Sequence, residues 1–126
     1  MALKLKSLKD RTEEGSDGLR ILIARYRPRY LSKSNENWKE WWKELAPSKI
    51  LHKDYMKDKK IAWTEYKRRF LIEMKSADAQ ARILELKQLL NDGKDATLLC
   101  HCVTEVTGDH CHRYIIRNLV ENKYSY

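Results

Sequence analysis

The chain has 126 residues, of which 42% are hydrophobic and 35% charged, so its length fits one folded domain with a core of its own. Three cysteines, an odd number, argue against a framework of structural disulfides, and no stretch is long and apolar enough to cross a bilayer. The formal net charge of +8 favours an anionic partner, either a small molecule or a nucleic acid. We therefore predict a single cytoplasmic domain over residues 1–126 with no membrane segment.

Two apolar stretches near the start of the chain predict strands. Leu3 and Leu5 alternate with Lys4 and Lys6, which is typical of a short strand at a sheet edge. After a polar loop, residues 19–24 are mostly apolar and partly β-branched, as in a buried central strand.

Helical spacing dominates the next segment. Four large apolar side chains recur at the i, i+3, i+4, i+7 positions, namely Trp38, Trp41, Trp42 and Leu45. Ser34 or Asn35 can cap this helix, and Pro47 ends it. Ser48 can cap a second, short helix.

A longer helix is predicted from about residue 61 to residue 74. It places Trp63, Tyr66 and Phe70 on one face. Such an aromatic stripe can stack on bases or pack in a core, and its helical spacing favours packing.

The remaining elements complete an α/β pattern. A helix over about residues 78–90 is followed by a buried strand over residues 96–100 and a final helix from near Asp109. Strands alternating with helices predict a helix-rich α/β fold with a small, mainly parallel sheet of three or four strands. In such sheets, ligands bind at the carboxyl ends of the strands.

Three arginines follow the central strand directly. Arg25, Arg27 and Arg29 are two residues apart, so in an extended segment they share a face, and Pro28 stiffens their presentation. A phosphate or carboxylate would relieve their mutual repulsion through paired hydrogen bonds. Alternatively, they pair with acidic side chains on the surface.

Cysteine and histidine concentrate at the end of the last strand. All three cysteines and three of the four histidines lie within thirteen positions, 100–112. Cys111 falls in the first turn of the final helix if Asp109 is its cap, where the helix dipole favours a thiolate. Cys111 is therefore the candidate nucleophile, assisted by His112 or His110, and Arg113 would bind an anion at the same helix end.

Zinc is the competing interpretation of the same segment. Cys100, Cys102 and Cys111 with one histidine would complete a tetrahedral set, and His112, His101 and His110 are the candidates for the fourth ligand. The thiols can also be small buried hydrophobic groups.

Several strings resemble one known family. They are Gly18–Arg25, Arg27–Arg29, Trp42–Ser48, Trp63–Glu73 and Thr97–Leu99. Together they resemble the YeaO-like branch of a large family known only as a domain of unknown function, and the Cys111-His112-Arg113 ending is similar to its larger branch. The resemblance implies an α/β fold and an intracellular setting, and it implies no established reaction.

The sequence thus predicts an uncharacterised intracellular protein with a site for an anion, phosphate or nucleotide-like, at the carboxyl edge of its sheet. A catalytic cysteine would make it an enzyme, and this point stays open. The alternatives are a zinc-stapled binding module without catalysis and a basic module that binds nucleic acid.

Overall fold

The computed structural model describes residues 3–28, 34, 36–101 and 110–123. The strands are β1 (Leu3–Ser7), β2 (Leu19–Leu22), β3 (Glu40–Trp41) and β4 (Ala96–Cys100). The α-helices are α1 (Glu14–Asp17), α2 (Lys49–His52), α3 (Trp63–Glu73), α4 (Ala77–Asn91) and α5 (His112–Val120). A 3-10 helix (Lys43–Leu45) precedes α2, and a π-helical turn (Lys53–Lys57) follows it.

All four strands of the sheet run parallel, in the order β1-β4-β2-β3. Leu98 of the central strand β4 lies between Leu5 of β1 and Ile21 of β2. The predicted α/β class and the small parallel sheet are confirmed. The predicted strands in residues 3–6, 19–24 and 96–100 correspond to β1, β2 and β4.

The two faces of the sheet are covered differently. On one face, Ile21 and Leu98 belong to the main hydrophobic core, to which α3, α4 and α5 contribute buried side chains such as Phe70, Leu86 and Ile116. The alternate residues of the strands form a smaller cluster on the other face, made of Leu8, Leu22, Ala24 and Leu99 with Trp38 and Trp41 packed against it. Side-chain alternation along each strand separates these two sets.

The helix predicted around the tryptophans is wrong. Its residues form the edge strand β3, which pairs with β2, and then the 3-10 helix. The reason is that the side chains of the neighbouring residues Trp41 and Trp42 pack on opposite faces of the sheet. Trp42 is buried in the main core, whereas Trp41 packs in the smaller cluster and donates its Nε1–H to the Ala24 carbonyl at 2.7 Å. Extended backbone divides adjacent side chains in this way.

A buried carboxylate lies beside the smaller cluster. Asp17 accepts hydrogen bonds from Lys6 Nζ at 2.8 Å, from the Glu13 backbone N–H at 3.1 Å and from Arg20. Burial alone would raise the pKa of Asp17, but the hydrogen bond from Lys6, that from the Glu13 backbone and the charge of Lys6 outweigh it and lower this pKa to about 2. The ionised carboxylate therefore stabilises the fold.

Gly18 allows a close approach of two chain segments at the amino end of the sheet. Its φ is +61°, and a Cβ atom there would overlap the backbone carbonyl of Asp95. The backbone N–H of Leu19 donates to that same carbonyl at 3.0 Å. Gly18 thus permits β2 and β4 to begin side by side.

Candidate functional site

The arginine segment and the cysteine segment line one cavity at the carboxyl edge of the sheet. β2 and β4 are parallel neighbours, and the Ile23 backbone N–H donates to the Leu99 carbonyl at 2.9 Å where they end. The cavity has a volume of about 380 Å³. Its described lining comprises Ala24, Arg25, Tyr26, Arg27, Pro47, His52, Tyr55, Met56, Trp63, Tyr66, Cys100, His101, His110, Cys111 and His112.

Cys111 lies immediately before the last helix. The helix begins at His112 rather than near Asp109, so the prediction that Cys111 lies in its first turn is corrected by one position, and Asp109 lies outside the described residues. The backbone of Cys111 is extended (φ −149°, ψ 145°). This geometry still places the thiol at the positive end of a nine-residue helix, which favours the thiolate form.

Three side chains contact the sulfur of Cys111. Cys100 Sγ lies at 3.2 Å, Arg113 Nε donates at 3.3 Å, and His112 Nδ1 lies at 3.8 Å. Only 2% of Cys111 is exposed, although it lines the cavity. A second thiol, a cation and an imidazole therefore surround one buried sulfur atom.

The ring of His112 is oriented by the backbone of β2. Its Nε2 lies 2.7 Å from the carbonyl oxygen of Ile23. Because a carbonyl only accepts hydrogen bonds, Nε2 carries the proton, and in the neutral ring Nδ1 is then an acceptor. This tautomer turns a basic nitrogen toward the thiol of Cys111. Such a pair can move the thiol proton to the imidazole.

Arg113 was predicted to bind an anion, which requires an accessible side chain, but its position is different. Its side chain is fully buried, at 0% exposed, and its Nε–H points to Cys111. A hydrogen bond from a guanidinium stabilises a thiolate more than a thiol. Arg113 therefore acts on the sulfur of Cys111.

The other predicted anion-binding arginines are already engaged to different degrees. Arg27 forms a salt bridge with Glu36 at 3.1 Å, which is the surface pairing that the sequence left as an alternative. Arg25 donates to the carbonyls of Pro47 at 2.7 Å and Lys43 at 3.4 Å, both neutral acceptors. Arg29 lies outside the described residues.

Basic side chains dominate the polar part of the cavity. Its described lining contains two arginines and four histidines, and none of these described residues is an Asp or Glu. Burial lowers the pKa of His52, and the positive charges of His112, His101 and Arg25 lower it further. The cavity thus resists taking up another positive charge.

Aromatic rings form a second wall of the cavity. The ring of Tyr66 lies 4.5 Å from Tyr55 and 5.4 Å from Trp63, and His110 stacks on Trp63 at 4.8 Å with an interplanar angle of 11°. The stripe predicted as core packing therefore has two roles, since Phe70 is buried in the core while Trp63 and Tyr66 also line the cavity. These aromatic residues and His52 were not predicted as site residues from the sequence. Helical spacing alone does not distinguish a helix face that packs in the core from one that lines a cavity.

The residues proposed as zinc ligands are only partly described. Cys100, Cys111 and His112 lie together, whereas Cys102 belongs to the segment 102–109 that the structure does not describe. Among the described residues, no three His, Cys, Asp or Glu side chains are arranged to hold a metal ion. His112 already uses Nε2 on the Ile23 carbonyl.

The fold and the cavity define an α/β domain with a four-stranded parallel sheet and a cysteine-histidine site at its carboxyl edge. A family model described as "Active DUF488-N3 subclade" matches residues 3–124, so the chain belongs to the DUF488 family of domains of unknown function. The resemblance seen in the sequence is confirmed at this level, and assignment to the YeaO-like branch stays a prediction. No curated protein and no solved structure matches the chain. Across the described ranges, no helix is both long and apolar enough to cross a membrane.

Proposed function

We propose that this chain is a cysteine-dependent enzyme that binds a small anionic, nucleotide-like ligand in the cavity and uses Cys111 as its nucleophile. His112 would accept the thiol proton, and Arg113 would stabilise the thiolate. Arg25 and the histidines of the lining would attract the anion. The arrangement around the sulfur of Cys111 is the observation that carries the proposal.

The contacts of Cys111 are those of an activated nucleophile. An imidazole whose other nitrogen is fixed by a backbone carbonyl matches the pattern in which a base is itself oriented by a third group. The separation of 3.8 Å between Cys111 Sγ and His112 Nδ1 is loose, as such pairs often are without a ligand. The guanidinium at 3.3 Å adds a fixed positive charge beside the sulfur.

The charge of the lining supports an anionic ligand. Arg25, His52, His101 and His110 bring basic groups to the cavity, and its described lining contains no Asp or Glu. Arg25 is half-buried, so solvent screens its interaction with an anion less than it would at the open surface, whereas His101 and His110 are exposed. Arg27 contributes less, since Glu36 already balances its charge.

The size and the aromatic wall of the cavity support a ligand that also carries a planar ring. A volume of about 380 Å³ lies within the range of small-ligand sites. Trp63 and Tyr55 line the cavity beside the basic groups, and a base that stacks on an aromatic side chain contributes roughly 1–3 kcal/mol. A ring joined to a phosphate would use both walls.

The test compares two alkylating reagents that differ in charge. Iodoacetate and iodoacetamide attack the same sulfur, but only iodoacetate is an anion. We expect both reagents to alkylate Cys111 at lower pH than they alkylate glutathione measured in parallel. The ratio of the iodoacetate rate to the iodoacetamide rate should be higher for Cys111 than for glutathione. The rates are followed by mass spectrometry of the peptide that contains Cys111. Inorganic phosphate and adenosine monophosphate should each protect Cys111, the nucleotide more strongly.

Two variants with the same loss of charge separate a local effect from a general one. Arg25→Gln should lower the iodoacetate rate several-fold and leave the iodoacetamide rate nearly unchanged. Arg68→Gln is the matched control, because Arg68 is exposed on α3 and pairs with Glu65. If Arg25→Gln and Arg68→Gln lower the iodoacetate rate equally, the anion site is refuted. If Cys111 is alkylated as slowly as glutathione at every pH, its role as the nucleophile is refuted.

A further inference from the structure

We propose that Cys100 and Cys111 are a redox pair, in which small hydroperoxides oxidise Cys111 and Cys100 then closes a reversible disulfide with it. This inference rests on the thiolate character proposed above for Cys111, and it does not require that a nucleotide-like ligand binds. It assigns to Cys100 a function as the resolving thiol. It also names small hydroperoxides as a second class of substrate for this site.

The distance between the two sulfur atoms carries the inference. They lie 3.2 Å apart, closer than two sulfur atoms in ordinary van der Waals contact, and a disulfide bond is about 2.05 Å long. Closure therefore requires an approach of roughly 1 Å. Both residues lie at the ends of elements, Cys100 as the last residue of β4 and Cys111 just before α5. Such positions can shift without breaking a strand or a helix.

The two cysteines have different surroundings, and this difference indicates which one the peroxide oxidises and which one resolves the sulfenic acid. Cys111 has the guanidinium of Arg113 at 3.3 Å and the basic nitrogen of His112 at 3.8 Å. Cys100 lies on the central strand among core side chains and is 1% exposed. Because the thiolate is the form that attacks a peroxide, Cys111 is oxidised first. Cys100 is already in contact with the sulfur that it must attack.

A small hydroperoxide can reach the pair from the cavity. Both cysteines belong to its lining, although each residue is almost fully buried by the rest of the protein. The lining also includes the apolar surfaces of Tyr26 and Met56, which are 49% and 46% exposed, so an apolar hydroperoxide fits there as well as hydrogen peroxide. A bulky disulfide such as oxidised glutathione has less access to sulfurs at this depth.

The chemistry proceeds in two steps. The Cys111 thiolate attacks one peroxide oxygen, the O–O bond breaks, and the leaving alkoxide takes the proton that the thiol released, which gives an alcohol and a sulfenic acid. The Cys100 sulfur then attacks Cys111 Sγ, the S–O bond breaks, and hydroxide leaves as water with the proton of Cys100. Two thiols have lost two electrons, and the hydroperoxide has gained them. A small dithiol reductant restores both thiols.

The experiment treats the reduced protein with one equivalent of cumene hydroperoxide and measures intact mass with and without later reduction. We expect a loss of two hydrogen atoms that dithiothreitol reverses. Cys100, Cys102 and Cys111 all lie between Lys94 and Arg113, so trypsin leaves them on one peptide. Cleavage before Asp109 separates Cys111 from the other two, and fragments that stay linked until reduction show a disulfide to Cys111.

Two variants identify the partner of Cys111. Cys102→Ser is the matched control and should form the disulfide at the wild-type rate. Cys100→Ala should lose it and accumulate a sulfenic acid on Cys111, trapped with dimedone. A disulfide that persists in Cys100→Ala and disappears in Cys102→Ser would overturn the assignment, as would a wild-type protein whose Cys111 is oxidised without a disulfide. If Cys100→Ala does not fold, Cys102→Ser decides the matter, since linked fragments in that variant can join only Cys100 to Cys111.

Failure of this proposal is distinguishable from failure of the proposed function. If Cys111 keeps its preference for iodoacetate but forms no disulfide, the redox pair alone is refuted. If the disulfide forms and the preference of Cys111 for iodoacetate over iodoacetamide is no greater than that of glutathione, the anion site alone is refuted.

Discussion

Two charged regions of this molecule contrast sharply, the buried cluster around Asp17 and the cavity around Cys111. In the Asp17 cluster, Lys6 and Arg20 each form an ion pair with the same buried carboxylate. In the cavity, basic side chains meet carbonyls, aromatic rings and thiols, and the described lining includes no acidic residue.

The difference separates a structural charge cluster from a candidate binding site. A buried ion pair that is complete within the fold needs no further partner, and removing one member destabilises the protein. A group of like charges is stabilised when an oppositely charged ligand arrives. Four measurements test whether the two regions differ in this way.

Asp17→Asn should destabilise the fold by about 3 kcal/mol, because Lys6 and Arg20 then lose a buried counter-charge. The free energy of unfolding in urea measures this change. Glu13→Gln is the control, since its ion pair with Lys6 is more exposed and its loss should change stability by less than about 1 kcal/mol. Equal effects of the two substitutions would contradict a special structural role for Asp17.

Acid should remove a part of the stability that depends on Asp17. The folded pKa of about 2 lies below the ordinary value of 3.8, so the unfolded chain takes up the proton first as the pH falls. The full contribution, about 2 kcal/mol, is present above pH 4 or so and declines toward pH 2. The free energy of unfolding in urea, measured at several pH values, tests this expectation. It should fall less steeply with acid in Asp17→Asn than in the wild-type protein, whereas Glu13→Gln should keep most of the wild-type pH dependence.

Arg113→Met should slow alkylation of Cys111 by iodoacetamide at neutral pH by about tenfold, because the thiolate loses the charge beside it. The rate profile should move to higher pH while its plateau changes little. Arg117→Met on the same helix is the control, since the guanidinium of Arg117 lies over Tyr114. If both variants shift the profile equally, Arg113 acts only through general charge or packing.

Arg25→Gln should raise the pKa of His52 only slightly, because burial, which is the largest cause of its lowering, remains. Saturating phosphate should raise the same pKa in the wild-type protein. NMR titration of the His52 ring protons measures both. Arg68→Gln should leave the pKa where it was, and a phosphate-insensitive His52 would mean that the anion binds elsewhere.

Three of the four strands were predictable because they carry simple patterns. Alternation in β1 and mostly apolar runs in β2 and β4 identify them without reference to the rest of the chain. The segment of Trp41 and Trp42 was not predictable in this way. Its apolar spacing matches a helix, and only the pairing of β3 with β2 reveals that two adjacent rings serve different faces.

The candidate site was predictable in location but not in detail. Parallel strands bring residue 25 and residue 100 to one edge, which the order of elements already implies. No sequence pattern indicates that Arg27 pairs with Glu36, or that His112 reaches back to the carbonyl of Ile23. Those contacts depend on how loops and helix termini pack, and they join residues far apart in the chain.

Gly18 has a consequence for how this protein tolerates mutation. A methyl group there would push the Asp95 carbonyl away and misalign two neighbouring strands from their first residues onward. The same strands end at Leu22 and Cys100, so an error at the amino end of the sheet is carried to the end that holds the candidate site. In a library covering every substitution, position 18 should accept glycine alone, as sensitive as any residue of the cavity.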